Sequence, residues 1–371
     1  MIKDEKMKKF VLALLLALTL FAFCGCAEEK YPPVPSTEEE AKVVLTLKIE
    51  DKEYDVRYEL YRALFLNNKS RVDGGNENVW SGENKDVYIN EINEIITNNL
   101  SQIFAAFHLA DKIGFDPYSS DADYKVKEFI KGAVEGDGNQ IGHGSYEAFL
   151  ASLKKNNLNY STATLLYRYA LAETAIDKYY GGEYNELGAL EDGEYKYTRE
   201  DVENYYYSDA CARIFQAYFQ KGIKNYSQMQ EYRESLASID DEMTLAMRFI
   251  GTTSALESDF ISDGELSGIV LGRTALQSYD YAEYINAVFA LEDGELSDII
   301  TLTHTNADGY YVVYRLAKNS EHFEKFYSSV RNSYIDSVIG ATLGGIEKAL
   351  SESVTFTENY NSIIHKDISL D

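Results

Sequence analysis

Apolar residues recur along this chain mostly at helical spacing, and a few short runs alternate instead. Residues 87–113 carry Ile89, Ile92, Ile95, Ile96, Leu100, Ile103, Phe104 and Phe107 on one stripe, which predicts a long amphipathic helix stopped by Gly114. Residues 43–49 alternate and predict a strand; 50–53 read as a turn, and 54–66 start as a strand and turn into a helix. Residues 66–86, rich in Asn, Gly and Ser around the single Trp80, read as an irregular insertion. Further helices are predicted over 120–135, capped by Ser119 or Ser120 and stopped by Gly136, then over 145–156 and 162–180. Thr198 with Asp201 is a capping-box-like helix start. Residues 211–219 and 269–273 predict strands, and 225–238 and 240–249 predict helices.

The stretch from Ala287 to Ser297 organises the second half. Residues 281–291 place Tyr284, Ala287, Val288 and Leu291 on one helical face, and Gly294 ends that helix in the left-handed region. Strands follow over 297–303 and 310–316, with turn chemistry at 306–309 between them. Residues 321–350 predict a long helix buried along Phe323, Phe326, Val330, Tyr334, Val338, Leu343, Ile346 and Leu350, and 353–357 a last strand. Residues 263–269 nearly repeat 293–299; both copies read as a Gly turn feeding a strand.

Ala287, Phe289, Leu291, Gly294, Glu295 and Ser297, followed by Gly309-Tyr310-Tyr311-Val312-Val313, resemble the C-terminal half of a parvulin-type peptidyl-prolyl isomerase domain. That family carries A-x-F-x-L-x-x-G-E-x-S before G-Y-H-I-I. Upstream, residues 110–116 (ADKIGFD) and 146–153 (YEAFLASL) resemble the N-terminal chaperone region of PrsA/SurA-type secretion foldases. The resemblance implies an α+β fold: a helical chaperone domain closed by N- and C-terminal strands, with a parvulin-like domain inserted. It implies a leader over 1–25, a disordered tether over 26–42, the helical domain over 43–196, the parvulin-like domain over 197–318, and a returning segment over 319–371. On this reading residues 354–356 pair with the strand at 44–47.

The same resemblance supplies the candidate site. Rotation about a peptide bond crosses roughly 18–20 kcal/mol, and a parvulin lowers that barrier by binding the twisted imide in an apolar pocket with two facing His residues. Here Arg213 and Tyr311 hold the family His positions, and Tyr284, Phe289 and Phe215 are the implied substrate-binding residues. Arg213 stays charged and cannot act as a neutral imidazole. No catalytic residue is therefore assigned, and weak or absent isomerase activity is expected. An active isomerase is the alternative.

Lys3, Lys6, Lys8 and Lys9 followed by an apolar run over 10–23 read as a secretory leader, too short for a comfortable membrane span. Its end, Phe23-Cys24-Gly25-Cys26, is similar to a bacterial lipobox, which makes Cys26 the lipidation site and the location extracytoplasmic, at the membrane. Residues 27–41 are polar, acidic and Pro-rich, which predicts a solvated tether. Charge changes the picture further: 35 basic against 61 acidic residues give −26, which argues against nucleic acid as a partner. Unfolded secreted polypeptides are the expected partners, and a homodimer is left open.

Cys24 and Cys26 sit at the leader's end, which leaves Cys211 as the one cysteine of the folded part, so no internal disulfide is expected, and its Ala neighbours suggest a small buried hydrophobe. None of His108, His143, His304, His322 and His365 is paired at metal-ligand spacing, so neither metal nor cofactor is expected. His108 is read as packed and His304 as exposed. Phosphate-loop and nucleophile-elbow motifs are absent from the sequence. A solute-binding lipoprotein would need two α/β lobes, and strand–helix alternations are too few for that.

Overall fold

A computed structural model describes residues 30–136, 141–184, 190–222, 225–255, 268–273, 282–302 and 309–367. The expected leader, Cys26, His304, the first of the two near-repeats save its last two residues, and the expected turn at 306–309 save Gly309 lie outside the described residues. The chain is mixed helix and sheet. Contacts divide it into two units, a helical one up to Gly182 and again from Thr342, and a sheet-containing one over Glu183–Ala341.

In the helical unit, β1 (Val43–Ile49) pairs antiparallel with β2 (Lys52–Arg57), which leads directly into α1 (Tyr58–Asp73). A long helix α2 (Lys85–Lys112) follows, then α3 (Ser120–Glu135), α4 (Tyr146–Lys155) and α5 (Tyr160–Gly181). The α2 stripe packs against α1 and α5, with Ile92, Ile96, Leu100 and Ile103 fully buried. Ser119 caps α3 by accepting from the Ala122 N–H, Ser145 caps α4 the same way, and Asn159 with Thr162 closes a reciprocal box on α5. Each cap satisfies a backbone donor that the first helical turn leaves open.

The C-terminal segment completes this unit. β9 (Thr355–Phe356) pairs antiparallel with β1, Leu45 opposite Phe356 and Thr46 opposite Thr355, giving the sheet order β2-β1-β9. This is the pairing expected from the sequence. A helix not foreseen there, α12 (Glu358–Asp367), continues from β9 and packs on β1 and α1. Tyr360 accounts for it: its ring lies 4.3 Å from Phe356, and its hydroxyl receives the Asn93 side-chain amide at 2.6 Å. Asn93 also accepts from Tyr61.

Two expectations are corrected in this unit. Residues 66–86 are built around Trp80 rather than irregular: α1 runs on to Asp73, and a short 3-10 helix (Glu77–Trp80) returns the indole to the core, 1% exposed. Its Nε1–H donates to the Asp73 carboxylate at 2.8 Å. A lone polar-flanked Trp hides this, because the partner that pulls it inward is a charged residue. The tether over 26–42 is not free where it is described. Ser36 donates to the buried Glu59, Asn159 donates to both Glu59 and Glu40, and Thr37 with Glu40 forms a small capped turn. An acidic, Pro-rich composition predicts solvation, but Glu59 sits inside the unit and needs hydroxyl and amide donors.

In the sheet unit, β3 (Glu183–Tyr184) and β4 (Leu190–Glu191) form a small ribbon before α6 (Arg199–Tyr207). Thr198 and Asp201 close the expected capping box on α6; the backbone N–H of Thr198, then its hydroxyl, hold the Asp201 carboxyl below its ordinary range. β5 (Cys211–Gln220), α7 (Tyr226–Leu236), α8 (Glu242–Ala255), β6 (Ile269–Gly272), α9 (Ala282–Ala290), β7 (Ile300–Leu302) and β8 (Gly309–Leu316) follow. The four longer strands form an antiparallel sheet of order β6-β5-β8-β7. All strand pairs among the described residues are antiparallel, which removes the two-lobed α/β reading. The long C-terminal helix is two: α10 (Ser320–Lys325) and α11 (Tyr327–Glu352), separated at Phe326. Only Phe323, Val330 and Leu350 of its expected stripe are buried; Val338, Leu343 and Ile346 are half-exposed.

The sheet unit takes in residues 183–196 and 319–341 as well. Arg331 holds part of both stretches together: it is buried, donates to Asp192 at 3.0 Å and lies 5.3 Å from the Tyr197 ring. Tyr334 packs on Tyr197 and Tyr205, so the start of α11 belongs with the sheet. In this unit Cys211 is wholly buried, and burial pushes its thiol up to about 11, as an inert core residue requires.

The Trp80 contact gives the first prediction. Trp80→Phe leaves the buried Asp73 carboxylate without its indole donor, at a cost of about 1.5–3 kcal/mol. A urea titration followed by far-ultraviolet circular dichroism should show a lower midpoint with unchanged slope.

Candidate functional site

The register of β5 against β8 sets the site. Eight residue pairs run from Arg213 opposite Leu316 to Gln220 opposite Gly309. Side chains alternate across a strand, so Ala212, Ile214, Gln216 and Tyr218 share one face with Tyr311 and Val313. That face is covered by α9, through Tyr284, Ile285 and Val288. The opposite face carries Phe215, Ala217, Phe219, Val312 and Leu316 under α7 and α8.

Arg213 and Tyr311 therefore lie on opposite faces, and the expected facing pair is corrected. Arg213 is buried beside α8, where its guanidinium donates to the Ala317 carbonyl at 2.7 Å and reaches Glu242 at 3.3 Å. It is a structural cation at the sheet's end. Phe215 is corrected as well: its ring lies 5.6 Å from Phe249 in the opposite core, away from Tyr311. The residues that do face Tyr311 are Gln216, two positions from its direct partner, and Tyr218 itself. Sequence reading missed Gln216 because parity along β5 has no origin until the β8 register is known.

Three tyrosines and an amide make up this face. The Tyr284 hydroxyl donates to Gln216 Oε1. Ring centroids of Tyr218 and Tyr311 lie 4.8 Å apart, and Tyr284 meets Tyr311 edge-on at 5.3 Å. Tyr284 and Tyr311 are 3% and 5% exposed, so their rings fill the layer between sheet and helix instead of lining a hollow. Tyr284 is thus a packing residue, not an accessible substrate contact. Gly309 makes the arrangement possible: a Cβ there would fall 2.3 Å from the Tyr218 ring and 2.6 Å from the Phe219 carbonyl oxygen.

The Ala287–Ser297 stretch is stitched to β8 by its own backbone. Gly294, at φ +87°, donates to the Arg315 carbonyl at 2.8 Å, and Arg315 N–H returns to Glu295 at 2.9 Å. Ser297 N–H donates to the Val313 carbonyl, and Val313 N–H donates to Ser297 Oγ at 2.9 Å. Glu295 also accepts the Glu292 N–H at 2.8 Å. The Gly, Glu and Ser of the motif each satisfy a specific backbone group. Phe289, half-buried at the end of α9, has the Arg273 guanidinium 4.6 Å and that of Arg315 5.6 Å from its ring. Of the substrate-binding residues read from the sequence, Phe289 alone keeps an accessible surface on the α9 side.

The imidazole among the described residues of the sheet unit is elsewhere. His322, in the first turn of α10, is 2% exposed, with Nδ1 2.9 Å from the Tyr206 hydroxyl and its ring stacked 4.5 Å from Phe326. Burial, then the Arg213 charge, pushes its pKa down to about 4. His108, expected to be packed, is buried in the helical unit with Nδ1 3.3 Å from the Tyr54 hydroxyl. No group of residues that could hold a metal ion is found among the described residues.

Two predictions follow from this geometry. Ser297→Ala removes the acceptor of a buried N–H and should cost about 1–3 kcal/mol of sheet-unit stability, read as a lower urea midpoint. For His322 the sign is fixed by protonation. The unfolded chain protonates histidine near 6.5, while the folded residue stays neutral to about 4. Acidification through that window favours the unfolded state and lowers stability. His322→Phe should flatten the loss of thermal midpoint between pH 6.5 and 4.

No family model and no curated protein matches the chain. Solved structures do. The chain is similar to the foldase protein PrsA of Lactococcus lactis, at 16% identity over 89% of this chain and 100% of that one, with a TM-score of 0.27. It is similar to the foldase protein PrsA of Streptococcus pneumoniae, at 15% identity over 86% and 98%, with a TM-score of 0.28. The third is a peptidylprolyl isomerase (PrsA) of Bacillus anthracis, at 17% identity over 68% and 96%, with a TM-score of 0.26.

Proposed function

We propose that this protein is an extracytoplasmic foldase or chaperone of the PrsA type that binds unfolded secreted polypeptides and does not speed prolyl isomerisation. The observation that carries the reading is the α9 side of the β5–β8 pair. The backbone stitching of the parvulin-like motif is complete at Gly294, Glu295 and Ser297, while the facing side chains are Gln216 and Tyr311, joined by Tyr284. A frame kept without imidazoles suits binding rather than rotation of the imide. Phe289, with the exposed guanidinium of Arg273 against it, offers a peptide an apolar ring and a cation.

In the helical unit, exposed Tyr118 and Tyr124 supply aromatic surface for clients, with the Arg168 guanidinium 4.9 Å from the Tyr118 ring. Several weak, amphipathic contacts of this kind tolerate many sequences. The organisation that goes with this reading is a helical holder made of two chain segments and an inserted parvulin-like unit. Retention at the membrane is assigned to acyl chains on Cys26. No described helix is long and apolar enough to cross a membrane.

Two measurements on the full chain test this. Aggregation of a chemically denatured client should be suppressed at near-equimolar protein. In parallel, the cis–trans rate of a Pro-containing peptide should stay at its uncatalysed value, with and without Gln216→Ala or Tyr311→Ala. A rate enhancement that either substitution abolishes would establish an active isomerase instead. Unhindered client aggregation would remove the chaperone reading.

A further inference from the structure

The first described residues are fastened to one end of the helical unit. Lys30 Nζ and Tyr31 Oη both donate to Glu135 Oε1 at 2.8 Å. The Tyr31 ring lies 5.5 Å from that of Tyr146, whose hydroxyl donates to the Pro32 carbonyl at 2.5 Å. Glu135 is the last residue of α3 and Tyr146 the first of α4. The chain's N-terminal segment thus meets the folded unit where these two helices join.

Residues 142–144, which lead into α4, are held at the same place. His143 N–H donates to the Ala133 carbonyl at 3.0 Å, and Gly144 N–H to that of Val134 at 2.9 Å. A Cβ at Gly142 would fall 2.2 Å from Gly136 N and 2.5 Å from the Glu135 carbonyl carbon, so the backbone crosses α3's last turn in contact with it. Ile141, next to this crossing, has a relative exposure of 102%. A fully exposed Ile beside a tightly held backbone is presented, not packed. The Glu135 carboxylate nearby is engaged by Lys30.

Four peptide steps separate Cys26 from Lys30. At roughly 3.3–3.6 Å per extended residue they span about 14 Å at most. We propose that this end of the helical unit docks on the lipid surface, with Ile141 entering the headgroup layer. The proposal rests on acylation of Cys26, as proposed above. The acyl chains supply retention, since one Ile is far too small an apolar surface to hold a protein at a bilayer. Ile141 and the Tyr31–Glu135–Tyr146 fastening set which face is turned to it. The outer end of α3 stands away: Asp121 lies about 21 Å from Glu135 along the axis at 1.5 Å per residue.

The test uses full chain extracted from membranes and reconstituted into phosphatidylcholine vesicles carrying brominated acyl chains, which quench nearby tryptophan. Ile141→Trp and Asp121→Trp are compared against the buried Trp80 background, with acylation read from the intact mass. The expected result is quenching at least twofold stronger at 141 than at 121. Tyr31→Ala combined with Glu135→Ala should erase that difference while the protein stays on the vesicles. Equal quenching at both positions in acylated protein overturns the orientation and leaves the anchor standing. A mass without acyl chains overturns both.

Discussion

Side chains alternate across a strand, so the pairing of β5 with β8 decides which residues can act together. With Tyr218 opposite Tyr311, the α9 face collects Gln216, Tyr218, Tyr284 and Tyr311, and the other face takes Arg213 and Phe215. A slip of one residue would exchange the two sets. Two features hold the register. Tyr218 packs into the space that Gly309 leaves open, and the Gly294–Ser297 turn is hydrogen-bonded to Val313 and Arg315. The site's character follows from this one alignment. Tyrosine hydroxyls and an amide, within a buried aromatic layer, can orient each other but present no neutral imidazole.

Much of the fold was legible because it is written in local chemistry. Helical stripes, caps at Ser119 and Thr198, and the Gly294 turn each rest on interactions within a few residues. What was not legible depends on partners beyond the nearest turn, some of them far along the chain. Trp80 is drawn in by Asp73, Tyr360 by Asn93, and the 30–42 segment by the buried Glu59. The candidate site divides the same way. Tyr311 follows from its neighbours, whereas replacing Arg213 by Gln216 as its counterpart needs the cross-strand register.

Charge is buried at particular points of the sheet unit. The chain is strongly acidic, yet its buried cations are specific: Arg213 caps the end of β8 through the Ala317 carbonyl, and Arg331 ties the β3–β4 ribbon's exit to α11. Breaking such a pair leaves a desolvated guanidinium, which costs far more than losing a surface bridge.

The β1–β9 pairing joins Leu45 to Phe356, a separation of 356 − 45 = 311 residues. Contacts so distant form late, because the intervening chain must be gathered before they repay its lost freedom. A chain delivered N-terminus first therefore presents β1 with one neighbour missing until residues 355–356 have emerged. The sheet unit, wholly contained between the two halves, can finish folding while its host is still open. The helical unit begins first and closes last, so for the length of its own synthesis this protein is itself an incomplete polypeptide with an uncovered strand edge.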